Sequence, residues 1–409
     1  LIDKISQKYN YDTEGLLLTN GCDEALSIIM NTYIEIDDEL LLFNPAFSMP
    51  ALYAQIAGAK IKYANYKQKF VFDSSIIKNE INENTKIVYI ASPNNPTGEL
   101  APIYEIEPLI DEFQNVLFII DCTYIKYSEN ADFREYITLS EKYENVFVVK
   151  SFSKDYALAG LRLGVVFSNK NNIDNLKIVS SPYNVNTMAL KCALCALEED
   201  DFEDVKKKNL KAKRLLLKGL IERGFEPYES EANFLLCDFS NYADFYYQKL
   251  KNNGVIVRNY SKNSILSNCL RITIPKPEKV DFVLELLDKK DLLIFDLDGV
   301  VFDVSNSYNA AIKKTFEHFA KYPLDDEELK KVKSMPNMNC DWDATKELLR
   351  LHGFNIDLDD VTNVFQDFFF NLKDKKNKHL IDREKLIISK EVFEKLSKKY
   401  DLAVFSGRV

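Results

Sequence analysis

Six short apolar runs constrain this chain more than any other feature. They are Leu16-Leu17-Leu18, Leu40 to Phe43, Ile61 to Ala64, Ile87 to Ile90, Val116 to Ile120 and Val146 to Val149. Helical patterns or polar loops separate them. A short, continuously apolar run is the signature of a strand buried on both faces. Strands that alternate with helices predict an α/β fold, with a mainly parallel sheet covered by helices on both faces. In such sheets ligands gather at the C-terminal ends of the strands. The residues just after each run are therefore the ones to read for chemistry.

The sixth run leads into Ser151-Phe152-Ser153-Lys154, and Arg162 follows eight positions after the lysine. A lysine in a tight loop at a strand end presents one amine to a cleft. Lysine amines form Schiff bases with aldehydes, and pyridoxal phosphate is the commonest such partner. Arg162 then supplies a fixed cation for a cofactor phosphate, with Ser151 and Ser153 as hydroxyl donors. Asn20-Gly21-Cys22-Asp23-Glu24 follows the first run and opens a helical pattern. A glycine turn at a helix start leaves free N–H groups, which suit a phosphate. Asp121 closes the fifth run, with Tyr124 three positions on. A carboxylate there can pair with a protonated pyridine nitrogen and keep the ring an electron sink. Taken alone, the Lys154 stretch reads equally well as a strand–loop–strand with a solvated Lys and Arg.

Four motifs occur together and in order: N-G-x-D-E at Asn20, S-P-N-N-P-T-G at Ser92, D-x-x-Y at Asp121 and S-x-S-K at Ser151. As a set they resemble the fold-type I aminotransferases. The A-L-A-G-L-R that follows Lys154, and Pro182-Tyr183-Asn184-Val185-Asn186, resemble the histidinol-phosphate aminotransferase branch most. The resemblance covers roughly residues 1 to 287. It implies that Lys154 holds the cofactor and moves the substrate proton, and that Asp121 faces the ring nitrogen. Asn95 and Tyr124 would bond the phenolic oxygen, and Phe47 would stack on the ring. Gly21, Cys22, Asp23, Ser151, Ser153 and Arg162 would surround the phosphate. Arg258 and Arg271 would bind the substrate's anionic groups. The implied reaction converts histidinol phosphate and 2-oxoglutarate to imidazole-acetol phosphate and glutamate. The implied assembly is a homodimer. An aminotransferase or decarboxylase for another amino acid would share every cofactor residue. The family usually reads D-E-x-Y where this chain has Asp121-Cys122-Thr123-Tyr124. Residue 1 reads as lying inside a helix, so the family's N-terminal arm, with its phosphate-binding tyrosine, is expected to be missing.

The large cofactor domain is expected over 1–223, with a long helical region from residue 182 ended by Gly224. A small α+β domain is expected over 224–289. Its strands are Asn233 to Leu236, Val255 to Arg258 and Leu270 to Ile274, and its helices are Tyr242 to Leu250 and Val280 to Leu287. A further domain is expected over 290–409. There Leu292-Leu293-Ile294-Phe295 runs into Asp296-Leu297-Asp298-Gly299-Val300. This resembles the first motif of haloacid-dehalogenase-like phosphatases. Asp296 would attack phosphorus, Asp298 would act as acid and base, and both would hold Mg²⁺. Leu402 to Arg408 resembles the second motif, with Ser406 holding the phosphoryl group. The charged helical stretch between them, at about 304–398, fits a helical cap. The family's later lysine and metal-binding motifs are absent, so this domain is expected to be truncated. If the first domain makes histidinol phosphate, a phosphatase for that product would perform the next step. A phosphatase alone, or a catalytically incomplete oligomerising module, are the other readings of the whole.

Composition narrows the rest. Net charge is −10 with no basic block, which argues against nucleic acid as a partner; amino acids and keto acids are the partners that the resemblance implies. There is no apolar run long enough for a membrane. Seven scattered cysteines in a chain of 409 residues suggest reduced thiols in a cytoplasm. Cys192-Ala-Leu-Cys195 reads as helix packing. His318, His352 and His379 all lie in the last third, so the first two thirds can use neither a histidine triad nor a histidine-ligated zinc.

Overall fold

The structure is a computed structural model. It describes the chain except residues 68, 200, 262–264, 289–290, 305, 339, 371–379 and 407–409. His379, Gly407 and Arg408 thus lie outside the described residues. The chain forms two compact units, Leu1–Asp288 and Lys289–Val409.

The first unit is built on a seven-stranded sheet. Its strands are β1 (Leu16–Thr19), β2 (Glu39–Asn44), β3 (Lys60–Asn65), β4 (Thr85–Ala91), β5 (Leu117–Asp121), β6 (Val146–Ser151) and β7 (Gly164–Phe167). The order across the sheet is β1-β7-β6-β5-β4-β2-β3. Only β7 runs against its neighbours. The apolar runs are continuous because each face has its own core. Val88, Ile120 and Val148 pack on one side; Ile87, Ile119 and Val149 pack on the other. Each such side chain contributes about 1.5–3 kcal/mol on full burial. Since β1, β2, β4, β5 and β6 point one way, the loops after them share one edge. The start of β7 joins that edge because it runs the other way. Topology thus gathers the loops that the sequence marks for chemistry.

The expected long helical region is two helices, Thr187–Glu198 and Phe202–Glu222. Gly224 follows with φ 77°, a left-handed position that glycine fills without strain. Cys192 and Cys195 do not pack as expected. The helix buries Ala189, Ala193 and Leu197, which recur at four-residue spacing, and leaves Cys195 exposed. A second, antiparallel sheet follows, with β8 (Glu226–Pro227), β9 (Phe234–Asp238), β10 (Arg258–Asn259) and β11 (Cys269–Thr273) in the order β10-β11-β9-β8. The expected strand from Val255 to Arg258 is therefore mostly loop. Val257 there is buried in the core while Ile256 is exposed, so the segment packs from unpaired backbone and pairs with β11 only from Arg258.

In the second unit, β12 (Leu292–Phe295) pairs in parallel with β15 (Asp401–Val404). Between them β13 (Phe302–Asp303) pairs antiparallel with β14 (Lys385–Leu386). Four helices, Tyr308–Ala320, Asp326–Lys333, Asp341–Leu351 and Leu358–Phe370, lie between β13 and β14. They share a core that includes Ile312, Phe316, Leu348 and Phe365. The helix Lys390–Lys399, expected within the cap, lies outside this cluster. It runs between β14 and β15, and its Phe393 ring meets Phe295 of β12 edge to face, with centroids 5.3 Å apart.

Candidate active site

The shared edge of the large sheet encloses a cavity of about 320 Å³. Cys22, Asp23, Phe47, Asn95, Asp121, Tyr124, Ser151, Ser153, Lys154, Arg162 and Arg271 line it. Loops after β1, β2, β4, β5 and β6 each contribute. Gly21 lies beside it and has its own task. At φ 82°, a Cβ on Gly21 would stand 2.7 Å from Arg162 Nη2, so glycine lets the guanidinium close over the helix start. Arg162 is itself left-handed at φ 56°, a conformation disfavoured for its type, and its Nη2 donates to Asp23 Oδ2 at 2.8 Å. The helix Gly21–Tyr33 has no side-chain cap from Asn20. Its first N–H groups, the arginine and the two serines form one electropositive corner suited to a phosphate.

Asp121 ends β5 and is buried. Tyr89 Oη donates to its Oδ2 at 2.9 Å and Thr123 N to its Oδ1 at 3.0 Å. Burial pushes its carboxyl up, while those two hydrogen bonds oppose the shift. The Lys154 amine is pushed down, first by burial and then by the Arg271 charge. It lies 5.5 Å from the centre of the Tyr124 ring. Burial raises Tyr124 to about 12, so it is a hydroxyl donor at neutral pH. Burial, with Asp121 second, holds the Cys22 thiol protonated, so Cys22 serves through its backbone and shape. Cys122 turns away into the apolar core, which is why the departure from D-E-x-Y leaves the cavity intact.

Asn95 and Arg271 link this cavity to a second one of about 550 Å³, which they line with Phe47, Arg258 and Tyr260. Arg271 Nη1 donates to Asn95 Oδ1, which leaves the Asn95 amide N–H groups for the first cavity. Arg271 Nε is buried with no hydrogen-bond partner among the described residues. Arg258 and Arg271 are register partners across β10 and β11. Like charges directly opposite are unfavourable unless an anion sits between them. Sequence reasoning missed Tyr89 and Thr123. Tyr89 hides in an apolar run; its signal is the two-residue period, since β4 pairs Ala91 with Asp121 and puts Tyr89 on the same face.

In the second unit, β12 and β15 end side by side, and Phe405 N donates to Phe295 O at 2.9 Å. This brings Asp296 and Ser406 to adjacent strand ends. Asp296 is exposed, and its carboxylate accepts from Leu297 N at 2.8 Å. Among the described residues no group of three or more His, Cys, Asp or Glu could hold a metal ion. Among the described residues Asp296 and Asp298 thus have no third carboxylate, histidine or cysteine beside them to complete the expected Mg²⁺ site.

Comparison with known proteins fixes the family. The profile for aminotransferase class I and II matches residues 1–287. The chain belongs to that family. Histidinol-phosphate aminotransferase from Pelagibacter ubique is 34% identical over 278 residues, covering 66% of this chain and 76% of that protein. The enzyme of the same name from Methanocaldococcus jannaschii is 31% identical over 296 residues, covering 71% and 79%. The crystal structure of histidinol-phosphate aminotransferase from Clostridium acetobutylicum superposes with a TM-score of 0.64 at 21% identity, covering 70% of this chain and 86% of that one. As a family aminotransferase the chain uses pyridoxal phosphate, and the cavity fits it. A buried carboxylate, an amine pushed toward neutrality and a cationic corner meet the ring nitrogen, the aldehyde and the phosphate. Among the described residues no helix is long and apolar enough to cross a membrane.

Proposed function

We propose that this aminotransferase transfers the amino group of histidinol phosphate to 2-oxoglutarate, giving imidazole-acetol phosphate and glutamate, and runs reversibly. The observation that carries the substrate class is the Arg258–Arg271 pair, two register partners that both line the second cavity. Two guanidinium forks suit a phosphate or a carboxylate. The names of the relatives that match over most of the first unit support the choice between them.

When bound, pyridoxal phosphate supplies an electron sink for the pair left when substrate Cα loses its proton. The chain's residues do the rest. Lys154 is the covalent anchor and proton carrier, and its lowered basicity leaves more free amine at neutral pH. Asp121, held in place by Tyr89 and Thr123, would pair with the protonated ring nitrogen. Tyr124 and the Asn95 amide would donate toward the phenolic oxygen. Phe47 would cover one face of the ring. Arg162, Ser151, Ser153 and the N–H groups of Gly21, Cys22 and Asp23 would hold the phosphate. The test is a panel of amino donors and keto acceptors that includes imidazole-acetol phosphate. A kcat/KM at least about tenfold above every other acceptor is expected for it. A preference for an unphosphorylated amino acid would redirect the substrate assignment.

We also propose that the active form is a homodimer and that the unit 289–409 has the core of a haloacid-dehalogenase-like phosphatase. The adjacent ends of β12 and β15, which carry Asp296 and Ser406, support the latter. So does the helical insertion between β13 and β14. Light scattering at tens of micromolar tests the first proposal, and a monomer would contradict it. Release of phosphate from histidinol phosphate tests the second, with faster hydrolysis of unrelated esters counting against a shared pathway.

A further inference from the structure

One ion pair lies wholly inside the core of the large sheet. Lys150, near the end of β6, is buried, and its Nζ lies 2.5 Å from Asp155 Oδ2. The ring of Phe133 lies 5.0 Å from that ammonium, and the ring of Tyr156 lies 5.9 Å from it. Neither member of the pair lines the cofactor cavity. Removing two charges from water is expensive, and well-packed apolar side chains would often hold a core as well. What such a pair does supply is a fixed separation between two points of the backbone.

Those two points bracket Lys154. Lys150 is on the strand, and Asp155 directly follows the lysine. The loop between them is closed from several sides. Tyr127 Oη donates to Lys154 O at 3.1 Å, and Ala157 N donates to the same oxygen at 3.3 Å. Asp155 Oδ1 accepts from Tyr156 N at 3.1 Å. Phe152 stacks on Tyr156 with ring centres 4.9 Å apart. We propose that the Lys150–Asp155 pair is a positioning device for Lys154: it pins the 154–155 peptide to β6, so that the amine enters the cavity in one pose. This rests on the reading of Lys154 as the covalent anchor. The groups that face the amine are Asp121, Arg271, Arg162, Asp23 and the Tyr124 ring. The pair is neutral as a unit, so removing both charges acts on Lys154 through placement.

The test uses the full chain. Lys150→Met combined with Asp155→Asn removes both charges and keeps an acceptor for Tyr156 N–H. Asp155→Glu keeps the pair but lengthens it by one methylene, and it serves if the double variant fails to fold. Four quantities are read on folded protein: kcat and KM with the preferred donor, the melting temperature, and the pH midpoint for acetylation of Lys154 by acetic anhydride in cofactor-free protein. The double variant should lose about tenfold in kcat with KM within about threefold. Its Lys154 midpoint should rise, toward an ordinary lysine. Asp155→Glu should move both in the same direction by less. Lys150→Arg, which keeps the pair, should retain about half of the wild-type kcat or more. Wild-type kcat with an unmoved midpoint, in either folded variant, would overturn the inference. Wild-type protein that borohydride does not trap at Lys154 would instead remove the reading beneath it.

Discussion

The strands β5 and β6 in the first unit, and β12 and β15 in the second, are both adjacent parallel pairs with an acidic and a hydroxyl residue at or just past their ends. Around β5 and β6 both faces are packed, and Asp121 at the strand end is buried with two donors. Around β12 and β15 the same kind of apolar sequence is left open. Leu292 is 55% exposed, Ile294 61% and Phe405 78%. Parallel strands are stable when both faces are covered, and two strands alone are marginal. Asp296 is exposed in consequence. A carboxylate in water has an ordinary environment, whereas one inside a packed edge is set by its neighbours. The contrast shows that a motif supplies residue types, and that convergence of several loops supplies the chemistry. Five loops meet over Asp121; one strand end stands beside Asp296.

The largest expected effect breaks the first site outright. Lys154→Ala should lower transamination by at least about 10³-fold while the melting temperature stays near wild type. Steady-state kinetics and calorimetry check it, and appreciable turnover would move the anchor elsewhere. Asp121→Asn should keep the phosphate corner and bind cofactor, yet lose about 10²–10³-fold in kcat, because an amide cannot share the ring proton. Arg271→Lys should raise KM for an anionic substrate about tenfold, since an ammonium cannot replace a fork bonded to both Asn95 and substrate.

A smaller effect concerns the polar network beneath the Ser92–Gly98 loop. Glu99 is half-buried there with its carboxylate against the Tyr66 and Thr97 hydroxyls, and desolvation raises that carboxyl from 4.5 to about 7. Between those values the folded state holds a proton that the unfolded state has lost. Stability therefore falls as pH rises through that window. Glu99→Gln should flatten the fall, by about 1–3 kcal/mol between its ends. Urea unfolding across the window reads it, and parallel curves for variant and wild type would contradict the shift. The smallest effect is the control in the second unit. Asp296→Asn should leave transamination within about 1.5-fold of wild type, as surface changes do.

Much of this was legible in advance, for physical reasons. Continuous apolar runs announced β2, β4, β5 and β6 because both faces of the sheet are buried. Lys154, Asp121 and Asn95 were legible because they stand at or just past the ends of those runs, and Arg162 because it sits at a fixed spacing after Lys154. Tyr89 was not, since a tyrosine inside an apolar run looks like core until the register with β5 is known. The Lys150–Asp155 pair was hidden similarly: Lys150 follows directly on Val149, and nothing local says that its charge turns inward. In the small sheet, Val255 to Val257 misled because β-branched residues can bury without a strand partner: Val257 is in the core, yet pairing with β11 starts only at Arg258.

Lys154 as the covalent anchor is tested most directly by borohydride reduction of the full chain loaded with pyridoxal phosphate, followed by peptide mass spectrometry. The mass of the reduced cofactor should appear on the peptide carrying Lys154, and disappear in Lys154→Ala. Its appearance on another lysine, Lys150 included, or its persistence in the variant, would contradict the assignment.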